Sequence, residues 1–533
     1  MRFAALDWVV VGAYFAALLG IAAWVARRRQ QTAADYFLAG RHVGWFAIGA
    51  SLFASNIGSE HVVGLAGSGA STGMVLGHYE LHSWIILLLG WVFVPFYLRS
   101  GVFTMPEFLE RRYDGRSRWF LSVVMLVGYV LTKVSVTVYA GGIMLQGLMG
   151  LDFWTGAAAV VVLTGVYTIL GGLRAVVYTE ALQAFVLVGG SAAVTVFGLV
   201  ELGGWGELRQ SVGGELFDMW KPLDHPEFPW LGMLLTPPIV GLWYWCTDQY
   251  IVQRVLAAED EATARRGAIW GAWLKLSAVF LFIIPGMIAL GLANRGRLDL
   301  AEADQALPVL VNAVLPVGLR GLVAAGLLAA LMSSLAAVFN SCSTLFTMDV
   351  YRKVRPAASG AELVRVGRWG TLAVVGLGIA WIPVMQVLAT GLYTYLQNVQ
   401  AYIAPPIAAV FLLGLLWNRV NATGAISTLV AGFVLGMAKL LLELRADALS
   451  GPLGWLAGVN FLYFGFALFV GSVVLLVAVS LATERPDPAR LAGLTFGAPR
   501  AEDTRRERTW TTGDVVQSAA VVLIVAAVLV YFS

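Results

Sequence analysis

Charge is scarce in this chain. Only 13% of its 533 residues are Asp, Glu, Lys or Arg, while 59% are hydrophobic. A soluble domain carries about a quarter charged residues, so the composition excludes an ordinary soluble protein and points to one that crosses a membrane repeatedly. Cysteine is almost missing too. The two present, Cys246 and Cys342, each lie in an apolar helical run and read as small buried residues, not as a disulfide or a metal site. No stretch is long enough for a separate soluble domain. The longest polar segment, 484–513, mixes Arg, Pro, Glu and Asp and reads as a cytoplasmic tether to the last span. There is no metal-ligand cluster, no glycine-rich phosphate loop and no nucleophile with a general base at workable spacing, which argues against an enzyme. A dispersed net charge of +3 argues against nucleic-acid binding. A removable signal peptide is not expected either. The first apolar run, 8–26, is followed by Arg27-Arg28-Arg29, the reverse of a signal peptide's charge order, as in an anchor with its N-terminus outside.

What is present is hydrophobic length. Apolar runs of about 17 residues or more give about fourteen spans. They cover 8–26, 45–71, 83–98, 119–149, 155–170, 180–200, 230–255, 269–293, 319–348, 367–387, 392–416, 422–442, 461–482 and 515–532. Basic residues alternate accordingly. With the N-terminus outside, the cytoplasmic loops hold Arg27 to Arg41, then Arg99 with Arg111, Arg112, Arg116 and Arg118, then Arg174, then Arg254 with Arg265 and Arg266. Arg352, Lys353 and Arg355 follow, then Arg419, and last Arg485 to Arg508. One opposite loop, with Arg295 and Arg297 beside Asp299, Glu302 and Asp304, is a mild exception. Both termini are therefore expected outside the cytoplasm.

Two spans carry interruptions. Ala54-Ser55-Asn56-Ile57-Gly58-Ser59-Glu60-His61 places polar side chains, a glycine and a carboxylate in mid-membrane. Lipid cannot satisfy the backbone groups such a break releases, so it belongs where it is buried in protein or lines a watery cavity. Pro237-Pro238 ahead of Gly241-Leu242-Trp243-Tyr244-Trp245-Cys246-Thr247-Asp248-Gln249 predicts a second break in mid-span. Interruptions in corresponding places of two helical blocks point to an inverted repeat with its site at the midplane.

Several of these segments are long and specific. They include Asn56-Ile57-Gly58-Ser59, Val63-Gly64-Leu65-Ala66-Gly67, Phe103-Thr104-Met105-Pro106-Glu107 and Trp243 to Gln249. Met332-Ser333-Ser334-Leu335, Phe339-Asn340-Ser341, Thr344 to Asp349 and Pro405 to Phe411 extend the set. In them the chain resembles the sodium/solute symporter family, in its sodium–glucose cotransporter branch, from the first span to at least Trp417. The resemblance implies an all-α polytopic membrane protein with a LeuT-like core of two inverted five-helix repeats, the first helix of each discontinuous. The expected organisation is one transmembrane unit over 1–533. Residues 1–44 form an extra helix and loop, 45–416 the core, and 417–533 further helices. A monomer in the lipid bilayer of the cell membrane is the expected transport unit, coupling sodium entry to uptake of a sugar.

The residues allow a sodium site. The hydroxyls of Ser333 and Ser334, inside an apolar helix, can share an ion with the carbonyl of Ala330, and the break at Ala54–Ile57 frees more carbonyls. Neutral oxygens suit a weakly held monovalent cation. By similarity to the family, the ligands are the carbonyls of Ala54, Ile57 and Ala330 with the hydroxyls of Ser333 and Ser334. Relatives moving two sodium ions carry a hydroxyl where this chain has Ala336, and an aspartate where it has Glu180. One sodium per solute is therefore expected. A potential of ~100 mV supplies about 2.3 kcal/mol per charge and a tenfold gradient about 1.4, enough to accumulate a neutral solute roughly several hundredfold.

A sugar needs polar side chains for its hydroxyls and an aromatic ring for its C–H face. By resemblance, Glu80, Ser83, Lys275 and Gln397 hydrogen-bond the sugar, and Asn56 and His61 line the pocket. Tyr244, supported by Trp245, closes it from the cytoplasmic side. Read alone, Lys275 also fits a structural ion pair with a carboxylate such as Glu60, and the aromatics fit ordinary packing. Gly241 stands where the family resembled has a polar sugar-contacting residue. Glucose or galactose is the expected solute, with myo-inositol or another polyol as the alternative within the class. A sugar sensor that binds without transporting is the rival outside it.

Overall fold

The computed structural model describes residues 4–27, 30–388, 392–499 and 509–533. Among the described residues the regular structure is helical, apart from one isolated β-bridge between Val43 and Ala258. Among the described residues, ten stretches of helix are long and apolar enough to cross a membrane. Their burial differs in an informative way. The stretch Leu319–Val354 has 94% of its apolar window buried, against 17% for Thr512–Tyr531. The first lies inside the bundle; the second leaves most of its surface uncovered by the rest of the protein.

The elements that position the site come in this order. Helix α1 covers Trp45–Asn56 and α2 Ser59–Ser71. The short α3 covers Gly77–Glu80 and α4 Ser83–Leu88. The long α5 runs over Phe153–Leu202, α6 over Trp230–Cys246 and α7 over Gln249–Leu256. Glu261–Leu276 forms α8, Leu319–Leu345 forms α9, and Leu392–Leu416 forms α10. Helix α9 packs most extensively on α5, and α1 on α8.

The first interruption lies inside the segment the sequence marks. Helix α1 ends at Asn56; Ile57 (φ −85°, ψ 103°) and Gly58 (φ −102°, ψ −178°) are extended before α2 begins. The Gly58 N–H, which would have continued the helix, donates instead to His61 Nδ1 at 3.3 Å. A side chain thus replaces a lost backbone acceptor.

The second interruption falls late in the stretch the sequence marks. Helix α6 continues through Pro237 and Pro238 to Cys246, and the chain leaves helical geometry only at Thr247 (φ −135°). Proline removes an N–H but its fixed φ is helical, and a membrane helix packed among others tolerates the loss. The break therefore sits one residue before Asp248, within the stretch 241–249 and past the prolines, which the helix runs through. Likewise, the expected spans 155–170 and 180–200 join into one helical stretch, α5, kinked at Gly172 (φ 54°, ψ −154°). A Cβ there would lie 2.5 Å from the Tyr36 carbonyl oxygen, so both the backbone angle and the close approach call for glycine.

Candidate functional site

Two polar clusters meet at the first break. On one side, Ser333 Oγ donates to the carbonyl of Ala54 at 2.7 Å and to that of Ala330, one turn back on α9, at 3.0 Å. Ser334 Oγ donates to the Ser55 carbonyl at 3.4 Å. Ala54, Ile57, Ala330 and Ser333 have no measurable exposure. Four of the five oxygen-bearing residues expected around sodium are thus gathered by the packing of α9 on the end of α1, and Ile57 opens the extended link. These oxygens are neutral, a donor set for a monovalent cation. Among the described residues no group of three or more His, Cys, Asp or Glu side chains forms a metal cluster.

Glu180 on α5 is engaged elsewhere. Its carboxylate accepts from Arg254 Nη2 at 2.9 Å and from the Ser51 hydroxyl, and all three residues are fully buried. A carboxylate already neutralised by a guanidinium has little left to offer a cation.

On the other side of the break is a cavity. It is lined by Asn56, His61, Glu80, Tyr244, Trp245, Lys275 and Gln397 from the expected set, and by Tyr79, His82, Lys133, Val240, Gly241, Leu396 and Gln400. Lys275 is its hub. Its Nζ lies 2.6 Å from Glu80 Oε2 and 2.6 Å from Asn56 Oδ1, with the Trp245 ring 5.8 Å away. The carboxylate partner of Lys275 is thus Glu80; the Glu60 side chain lies outside the described part. Asn56 Nδ2 in turn donates to Tyr244 Oη at 2.9 Å, and Tyr250 Oη also bonds Tyr244 Oη. The open volume is about 30 Å³, a single water's share of the liquid and far below the ~300–1,000 Å³ of a small-molecule pocket. The walls are closed in on one another.

Ser83 is the one expected residue that does not line this cavity. Glu80 closes the short α3, Ser83 opens α4, and Leu81 and His82 turn between them, so the two do not share one helical face. His82, not Ser83, reaches the cavity. Lys133 also went unread. It sits in a π-helical turn, Tyr129–Val134. Its Nζ donates to Tyr250 Oη at 2.7 Å and lies 4.4 Å from the Tyr244 ring centroid. A lone lysine inside the apolar run 119–149 was the available signal.

The sequence profile described as Sodium:solute symporter family matches residues 36–432. The Sodium/glucose cotransporter 1 of Oryctolagus cuniculus is 38% identical over 94% of this chain and 82% of its own length. The Sodium/myo-inositol cotransporter 2 of Mus musculus is 38% identical over 92% of this chain and 79% of its own. Among solved structures, a Na+-coupled sialic acid symporter in an outward-open state superposes with a TM-score of 0.80 at 22% identity, covering 91% of this chain and 99% of that one. A nucleobase-cation-symport-1 family transporter superposes at 0.52 and 14% identity, over 87% and 98%. At such identities these two speak for the fold alone. The profile and the relatives carry the rest: the chain belongs to the sodium:solute symporter family, in the branch of the sodium/glucose and sodium/myo-inositol cotransporters, and is a sodium-coupled transporter and not an enzyme.

Proposed function

We propose that this protein imports a neutral monosaccharide, glucose or galactose, together with one sodium ion by alternating access. One observation carries the reading: the break at Ala54–Ile57 serves both clusters. The Ala54 carbonyl faces Ser333 on α9, while Asn56, two residues on, holds Lys275 and Tyr244. An ion drawn to the carbonyls pulls on the same two turns of backbone that shape the solute cavity, which is the physical content of coupling. In this reading sodium binds Ala54, Ile57, Ala330, Ser333 and Ser334. The solute meets Asn56, His61, Glu80, Lys275 and Gln397, with Ser83 beside them, under a Tyr244–Trp245 gate. The Glu180–Arg254 pair favours a single ion.

The wider architecture follows from the same reading. Counting α5 as two crossings, and adding the interrupted stretches 45–71, 115–149 and 230–256 to the uninterrupted helices, supports about fourteen spans. We assign them to one transmembrane unit, a 5+5 inverted repeat with added helices, monomeric in the cell membrane, with both termini extracytoplasmic. Uptake into proteoliposomes under imposed sodium gradients tests it, with glucose, galactose, myo-inositol, a monocarboxylate and proline as the panel. Accumulation of a hexose driven by sodium and not by potassium is the expected result. Preference for myo-inositol would move the protein to the polyol transporters, and binding without accumulation would make it a sensor.

A further inference from the structure

The residue at position 241 has no side chain, and the space is not empty. A Cβ added there would fall 2.8 Å from His82 Nδ1, 2.9 Å from His82 Cε1 and 2.5 Å from Ile85 Cδ1. Such separations are shorter than carbon and nitrogen atoms tolerate, so the His82 ring and a side chain at 241 exclude each other. His82 comes from the turn between α3 and α4, whereas Gly241 is on α6. The glycine therefore lets a residue from a different element enter the cavity wall.

His82 is 5% exposed, lines the cavity, and its Nε2 makes no hydrogen bond. Tyr79, whose ring lies edge-on to His82 at 5.9 Å, lines the same cavity, and its hydroxyl also lacks a partner. So does Gln397 Oε1. Buried polar atoms without partners are destabilising, by an amount comparable to a lost hydrogen bond each. Three around one cavity are what a site looks like before its ligand completes it. A hydroxyl group both donates and accepts, so it satisfies an imidazole nitrogen in either tautomer, a phenol and an amide oxygen alike.

We infer that His82, seated in the space opened by Gly241, hydrogen-bonds the solute directly and sets which ring hydroxyl pattern is accepted, with Tyr79 as its neighbour in that contact. The ligand class is a neutral polyhydroxylated ring, a pyranose or a cyclitol. The inference rests on the proposed transport function and adds to it the determinant of specificity. A merely structural histidine would fill the same space without discriminating among solutes, and that difference is testable.

The experiment compares wild type, His82→Ala, Gly241→Ala and the double variant in proteoliposomes, with glucose, galactose and myo-inositol. Sodium binding is followed separately by tryptophan fluorescence without solute. His82→Ala is expected to raise the half-saturating concentration of the preferred solute at least tenfold and to narrow the spread among the three solutes, with the sodium response kept. Gly241→Ala, by evicting the ring, should do the same, and the double variant should be no worse than either single one. Should His82→Ala fail to fold, Gly241→Ala carries the test alone. Wild-type uptake with an unchanged solute ranking in the variants overturns the role of His82 and leaves the transport reading standing. A wild type that takes up none of the three under a sodium gradient overturns both.

Discussion

Ser333 Oγ lies 2.7 Å from the Ala54 carbonyl oxygen, across the contact between the most buried helix and the end of the interrupted one. In this arrangement a hydroxyl holds together two elements that the proposed alternating access would move relative to each other. An ion at the same point would take over that link with more than one oxygen at a time.

Replacing Ser334 with Ala removes one neutral oxygen and little volume. The half-activating sodium concentration should rise about tenfold, matching the loss of roughly 1.4 kcal/mol. Apparent solute affinity at saturating sodium should change less. Sodium titrations of uptake at fixed solute measure this; equal losses on both axes would remove Ser334 from the ion site.

Glu80→Gln leaves the Lys275 ammonium buried without its carboxylate. Breaking a buried pair by removing one partner destabilises by about 3–5 kcal/mol. The variant should therefore melt earlier in detergent and lose solute uptake. The double variant Glu80→Gln with Lys275→Met should recover much of the melting temperature and none of the uptake. A fully active Glu80→Gln would show that the pair is not part of the solute site.

Gln397 borders the cavity with its Oε1 unpartnered. Its replacement by Ala leaves no hydrogen-bond partner of Oε1 unpaired, so folding should be preserved while solute affinity falls. Sodium binding, read by fluorescence, should remain. Normal sugar uptake by Gln397→Ala would take it out of the pocket.

Asp260 caps α8, the helix that carries Lys275, by accepting the Thr263 N–H at 2.7 Å. This hydrogen bond holds its carboxyl below the ordinary carboxylate range. A depressed folded pKa contributes stability that is present above the unfolded pKa of about 3.9 and is lost as pH falls through the folded value. Melting temperatures of wild type and Asp260→Ala should thus differ above pH 5, by the equivalent of about 1 kcal/mol, and converge toward pH 3. A difference that persists unchanged at pH 3 would assign it to packing and not to the charged cap.

Legibility in the sequence followed the medium. In lipid an unsatisfied backbone group or a bare charge is expensive, so Asn56, Glu80 and Lys275 stood out from apolar surroundings, and the break at Ile57–Gly58 was marked by its polar neighbours. Features set by packing left no such mark. Pro237 and Pro238 advertised an interruption, yet the helix passes through them and stops at Thr247, because a helical φ suits proline and neighbouring helices absorb the missing donors. Nothing local marks His82 as a wall of the cavity, because it sits in the turn between Glu80 and Ser83 and reaches the cavity only through that turn. The mutual exclusion of His82 and a side chain at 241 joins residues on separate elements, and no local pattern encodes it.

The closeness of the walls around Lys275 also has a kinetic meaning. A guest ring of the proposed kind is many times the size of one water molecule, so it would reach these side chains only during excursions in which the helices have parted. Collision is then not what limits entry. At rising solute the observed rate of occupation should level off at the frequency of those excursions, and a stiff, oversized mimic that stays docked in the parted form would dissociate slowly because it prevents the helices from coming back together.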